Sequence, residues 1–193
     1  MSLQPITSVY STGINDFRDP LQTGSLDFHY VISPPAMPIG QIVFAKVADT
    51  STTGWVSPWD NARWVSINVN PGTPSQTAVY RTVFNLDRFD ASTAILQGEW
   101  VASGSGKIYL NGLALPLVNS GQKSAFTITG PFTSQFNELA FEVRNDSNNN
   151  NGLLVSMTGA AVPLLVPEPS GFIAMATGLI AAAIGLRWRR KQN

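Results

Sequence analysis

The sequence predicts an all-β chain: one antiparallel β-sandwich, of the jelly-roll kind, followed by a single C-terminal transmembrane helix. Three observations carry this. Apolar and polar residues alternate at period two in several short runs, the pattern of strands with one face inward. Clusters of Asn, Gly, Pro and Ser separate those runs. No helical periodicity precedes residue 164, whereas residues 171–186 are apolar on every side.

In chain order, the first candidate strands are Phe28–Ile32, Gln41–Val47 and Trp64–Val69, and Asn70-Pro71-Gly72 then supplies a turn. Tyr80, Thr82, Phe84 and Leu86 alternate with Arg81, Val83 and Asn85. Ala94, Leu96, Trp100 and Ala102 alternate with Thr93, Gln97 and Glu99. Lys107–Leu110 runs into a turn at Asn111-Gly112, and a further turn is expected at Asn119-Ser120-Gly121 before Ala125–Thr129. Leu139, Phe141 and Val143 alternate with Glu138, Glu142 and Arg144, and Leu153–Thr158 closes the set. About eight or nine strands result, and a two-sheet sandwich is the arrangement that buries one face of each. Phe84, Leu96, Trp100, Phe141 and Val143 are the expected core, worth roughly 1.5–3 kcal/mol each on burial. The resulting division is an N-terminal tail at 1–5, a β-sandwich at 6–163 and a C-terminal segment at 164–193.

Composition excludes several functions. The chain has 12 basic and 12 acidic residues, but four of the bases fall in the last seven positions, leaving the rest mildly acidic. A nucleic-acid binder needs a basic face. With no cysteine and one histidine, disulfides, thiolate metal sites and histidine-rich metal sites are all excluded, and no cofactor is implied. The one low-complexity run, Asn145 to Gly152, reads as a hairpin loop of residues that tolerate left-handed backbone. Its single carboxylate, Asp146, makes a calcium site the weaker alternative.

The C-terminal segment has three parts in fixed order: Val166-Pro167-Glu168-Pro169-Ser170, the apolar run Gly171–Leu186, and a basic tail at 187–193. The prolines fix φ and hold Glu168 on extended backbone that cannot join a helix. Arg187, Arg189, Arg190 and Lys191 mark the cytoplasmic end by the positive-inside rule, and Trp188 suits the membrane interface. Sixteen residues at about 1.5 Å each span about 24 Å, short of a ~30 Å hydrocarbon core. An ordinary stop-transfer anchor or a buried core helix are the alternatives. This order of parts resembles the PEP-CTERM sorting signal of Gram-negative surface proteins. The resemblance implies export, a brief inner-membrane intermediate, transient recognition by an exosortase near Pro167, Glu168 and Pro169, and release to the cell surface or extracellular polysaccharide matrix. The opening residues MSLQPITSVYSTGIND contain no apolar run, so an export signal is expected upstream of Met1 or already removed.

The body resembles a recurring domain found in front of that signal. The matching pieces are Ser11-Thr12-Gly13-Ile14-Asn15-Asp16, Asp27-Phe28-His29-Tyr30, Tyr80–Leu86 and Lys107-Ile108-Tyr109-Leu110-Asn111-Gly112. The last is similar to a strand and turn common in galactose-binding-like jelly rolls. Relatives often carry acidic residues before that strand. Ala102-Ser103-Gly104-Ser105-Gly106 has none.

Three function classes follow: a structural surface or matrix protein, a carbohydrate-binding module with exopolysaccharide as partner, and a glycan-acting enzyme. For the second, Trp55, Trp59 and Trp64 fall within GWVSPWDNARW beside Asp60, Asn61 and Arg63. Aromatic faces stack on sugar rings while planar polar groups bind hydroxyls. Trp55, Trp59, Asp60 and Arg63 are the candidate glycan contacts, and Trp64, opening a strand, is assigned to the core. For the third, a glycosidase needs two facing carboxyls about 5–9 Å apart. Glu99, Glu138 and Glu142 all alternate toward solvent. His29 and Asp27 share a strand face, but no nucleophile elbow accompanies them. The expectation is no catalytic residue, no metal, and a structural hydrogen bond from His29.

Overall fold

The structure, a computed structural model, describes residues 2–33, 43–51, 53–68, 77–145 and 151–165. Among these are eleven strands: β1 (Gln4–Pro5), β2 (Leu26–Ser33), β3 (Val43–Val47), β4 (Val65–Ser66), β5 (Ala78–Asn85), β6 (Phe89–Ala102), β7 (Ser105–Leu110), β8 (Leu113–Ser120), β9 (Ser124–Ile128), β10 (Phe136–Arg144) and β11 (Leu153–Pro163). Every strand pairing among them is antiparallel. The hydrogen-bonded path runs β8-β7-β10-β5-β2-β3-β4-β11-β6-β9, with β1 added beside β11. That path folds over on itself. Phe141 of β10 packs on Trp100 of β6 and Phe126 of β9, at ring separations of 5.7 and 6.4 Å. The molecule is thus an antiparallel β-sandwich of jelly-roll type, with one layer led by β7, β10 and β5 and the other by β11, β6 and β9.

Alternation explains the packing. Ala78, Tyr80, Thr82, Phe84 and Leu86 are buried, and so are Leu139, Phe141 and Val143 opposite them. Phe84, Leu96, Trp100, Phe141 and Val143, the expected core, are each no more than 2% exposed. The β7–β8 hairpin turns on Asn111 and Gly112, whose φ angles of 51° and 80° are the pair a two-residue type I′ turn demands.

The sequence reading departs from the fold in three places. Eleven strands replace the expected eight or nine. Gln4 and Pro5, expected in an N-terminal tail, pair with Ala161 and Ala160. Asn119 and Ser120, expected in a turn, are the end of β8, with only Gly121 beyond it at positive φ. Strand β8 carries Pro116 and shows period-two burial only weakly, because it is the edge of its layer and needs no second ladder of N–H donors. Asn119 is buried because its side chain acts as a joint. Its Oδ1 accepts from Ala102 N and Gly121 N, and its Nδ2 donates to the carbonyls of Trp100 and Gln122.

Strand β11 ends at Pro163, where the compact unit Met1–Pro163 also ends. Beyond it only Leu164 and Leu165 are described, both exposed. The sorting motif Pro167, Glu168 and Pro169, the apolar run and the bases Arg187, Arg189, Arg190 and Lys191 lie outside the described residues, as do Asn70-Pro71-Gly72 and Asp146. Among the described residues no helix is long and apolar enough to cross a membrane.

Candidate functional site: the tryptophan loop and the outer face of strand β6

Between β3 and β4 the chain leaves the sheet and lies over the outer face of β6 and β11. Ala48 donates to the carbonyl of Trp64 at 2.9 Å, closing the base of this loop. Val101 of β6 and Leu154 of β11 are register partners that face outward, yet both are buried. They form a second apolar cluster with Ala48, Ala62 and Trp64, against which Trp55 and Trp59 pack. Trp64 is 1% exposed, and its indole N–H donates to Val56 O at 2.8 Å, so it is core as expected.

Trp55 and Trp59 are half-buried and both pack against this cluster. Trp55 lies on Trp64, ring centres 4.3 Å apart and planes 30° apart. Its edge is seated on Gly152, where a Cβ would come within 2.3 Å of the indole. Trp55 and Trp64 wall a cleft of about 270 Å³ whose polar rim includes Thr53, Ser103 and Gln122. Trp59 instead receives the ammonium of Lys123 over its ring at 5.0 Å, and Lys123 is held by Glu99 at 2.7 Å.

The two polar candidates have different fates. Asp60 is exposed at the tip of a turn closed by Ala62 N donating to Trp59 O at 3.3 Å. The Arg63 guanidinium turns back into that turn, donating to the carbonyls of Trp59 and Ala62. Its own backbone is tied to Thr12. Arg63 therefore braces the turn that presents Trp59.

Beside the turn lies a shallow open trough of about 390 Å³ on the outer face of β9, β6 and β11. Its residues line up by register. Thr127, Gln97 and Thr158 form one row across the three strands, and Ala125, Glu99 and Ser156 the next. The Trp59–Ala62 turn spans the end of the second row, with Asn61 Nδ2 donating to Ser156 Oγ at 2.7 Å. Sequence reasoning named Gln97 and Glu99 only as outward-facing, and missed Ser103, Gln122, Lys123, Thr127, Ser156 and Thr158. Their proximity depends on strand register, which no local pattern encodes.

The remaining chemistry-bearing residues are paired elsewhere. Glu138 binds Arg81 at 2.6 Å, and the Tyr109 hydroxyl donates to Glu142 at 3.2 Å. Asp27 is fully buried and accepts from the backbone N–H of Gly13 and His29. The His29 ring stacks on Tyr10 at 3.6 Å and sits between acceptors: Nε2 is 3.0 Å from Asp16 Oδ1, and Nδ1 is 3.2 Å from Ile14 O and 3.5 Å from Asp27 Oδ1. Burial lowers its pKa, but the contacts with Asp27 and Asp16 outweigh it, and the net shift is upward from 6.5. Among the described residues no three His, Cys, Asp or Glu side chains gather to hold a metal ion.

No family model matches the chain, and no curated protein does. Among solved structures, a mutant of the family 29 carbohydrate-binding module CBM29-2, complexed with mannohexaose, is similar over 86% of this chain and all of its own, at 10% identity and a TM-score of 0.43. The stig cyclase Fisc from Fischerella sp. TAU is similar over 81% of this chain and 99% of its own, at 12% identity and 0.41. The family 11 carbohydrate-binding module from Clostridium thermocellum, complexed with a mixed-linked tetrasaccharide, covers 82% of this chain at 13% identity and 0.37. An enzyme and two binding modules stand at the same low level of likeness, so it selects no activity.

Proposed function

We propose that this chain is a non-catalytic carbohydrate-binding protein of a Gram-negative cell surface or extracellular polysaccharide matrix. The observation that carries the binding activity is the cleft walled by half-buried Trp55 and rimmed by Ser103 and Gln122. An aromatic wall offers a C–H/π platform, and an amide and a hydroxyl beside it fix sugar hydroxyls without supplying an acid–base pair. The hairpin at Ile108–Gly112 accords with a galactose-binding-like jelly roll. Measuring retention on immobilised neutral and acidic polysaccharides tests this. Trp55→Ala and Gln122→Ala should each weaken retention at least tenfold, Gln122→Ala without lowering Tm. Unchanged retention in Gln122→Ala and in Trp55→Ala, or none in the wild type, leaves the purely structural role.

Delivery is the second part of the reading, supported by the order of Pro-Glu-Pro, apolar run and basic cluster. An exosortase cuts near Pro167-Glu168-Pro169 after the inner membrane has held the substrate. Intact-mass analysis of surface-localised protein from a host with a cognate exosortase tests it. Loss of the tail is expected, and Glu168→Ala should block release while leaving insertion intact. Surface protein still ending at Asn193 would make the segment a plain anchor.

A further inference from the structure

We infer that the outer face of β9, β6 and β11 is a second glycan subsite, and that the ligand is the interior of a linear, uncharged polysaccharide chain. The inference rests on the carbohydrate-binding reading and specifies its ligand.

Three features of the trough point this way. The first is its arrangement. Thr127, Gln97 and Thr158 stand in one row across three strands, spanning about 10 Å. The row of Glu99 and Ser156 lies about 7 Å further along β6, toward the tryptophan loop. A binding surface laid out in evenly spaced rows fits a repeating ligand.

The second is the state of the side chains. Gln97, Thr127 and Thr158 are exposed, and no side-chain hydrogen bond to another described residue engages them. An amide and two hydroxyls thus offer donors and acceptors on one face. The charged residue lining the trough is already neutralised: Glu99 is held by Lys123, whose ammonium also lies over the Trp59 ring. With Glu99 paired to Lys123 the trough offers no net charge to hold an ionised sugar, whereas a hydroxyl-rich neutral chain finds an amide and hydroxyls.

The third is adjacency. Along β6 the outward residues run Val101, Glu99, Gln97, about 13 Å in all. Val101 lines the Trp55 cleft, and Gln97 lines the trough. The loop carrying Trp55 and Trp59 stands between them. Past Gln97 the face continues to an apolar hollow lined by Leu3, Ile95 and Ala160, where the underside of a pyranose ring can rest. A site closed at one end would select chain termini. The trough is open to solvent, which admits internal residues.

Calorimetry with neutral β-1,4-linked gluco- and manno-oligosaccharides of two to six residues tests the inference. For the wild type, the hexasaccharide should bind at least tenfold more tightly than the disaccharide. The double variant Gln97→Ala with Thr127→Ala, both positions being exposed, should keep its Tm and its disaccharide affinity while the gain with length falls below threefold. Gln122→Ala, at the cleft, should weaken all lengths alike. Wild-type affinity for the hexasaccharide in the double variant, or affinity independent of length, overturns the trough and leaves the cleft standing. Equal or tighter binding of oligogalacturonate of the same length overturns the assignment to neutral chains. No binding of any oligosaccharide overturns both readings together.

Discussion

The two faces of strand β6 differ in what they tell about the chain. Inward, Ala94, Leu96, Trp100 and Ala102 pack against the opposite layer, and their side chains are nearly all carbon. Outward, Ile95, Gln97, Glu99 and Val101 grade from apolar through polar to apolar again along one strand. The inner face is a solution to burial, and many sequences with the same pattern would satisfy it. The outer face is uneven. Its buried end exists only because a loop from elsewhere in the chain covers Val101 and Leu154. The contrast separates what makes the fold from what the fold presents.

Substitutions on the two faces should separate just as sharply. The largest effect is expected inside. Trp100→Ala removes the ring that packs on Phe141 and should lower unfolding free energy by about 3–5 kcal/mol, read by urea denaturation with an unchanged m-value. Next comes the covered end of the outer face. Val101→Asp would place a carboxylate under Trp64, at an outward position that alternation alone would declare tolerant. A Tm fall comparable to that of an inner-face variant is expected, and a Tm within 2 °C or so of wild type would mean that the loop lifts freely from the sheet. The smallest effect belongs to the open end. Glu99→Gln breaks an exposed pair with Lys123 and should change stability by less than about 1 kcal/mol.

A further prediction concerns pH. His29 has a folded pKa above its ordinary value, so its contribution is fully present below pH 6.5 and is lost as pH rises through the raised value. The geometry agrees with the sign, since both ring nitrogens face oxygen acceptors and the imidazolium satisfies both. Wild type and His29→Gln should therefore differ most in Tm at about pH 5–6 and converge on the alkaline side. The charged groups that bear on this are Asp16 and Asp27, with Arg18 over the Tyr10 ring on which His29 stacks. A gap that widens with pH would show that the neutral ring is the favoured form.

The inner face was legible in the sequence because alternation reports burial directly. Strand β10 is the clean case: Leu139, Phe141 and Val143 are buried, and Glu138, Glu142 and Arg144 are not. Strand β2 is less clean. Asp27 and Tyr30 are both buried although they differ by three, because the register slips between Asp27 and Val31 where β2 pairs with β3. A bulge exchanges the faces, and nothing in DFHY marks it. Trp64 was assigned correctly to the core from its place at a strand start. The trough was not legible, since Thr127, Gln97 and Thr158 are separated by about 30 and 60 residues and meet only through register. Arg63 looked like a ligand contact by its chemistry, and its donors are turned to the carbonyls of its own turn.

The joint at Thr12 bears on how the protein carries a load. Its backbone N–H donates to Val155 O, its hydroxyl accepts from Val155 N and also donates to Arg63 O, and Ser11 Oγ accepts from Met157 N. The N-terminal segment is thereby riveted to β11, the strand from which the C-terminal segment continues. A tension drawn along β11 from Pro163 meets β6 through ten register pairs, from Leu153–Ala102 to Pro163–Phe89, arranged side by side along the line of pull. Bonds loaded in parallel share a force and fail together, whereas bonds at a zipper's end fail singly. A domain whose first segment is bonded to its last strand, itself paired along its length with β6, yields as a block.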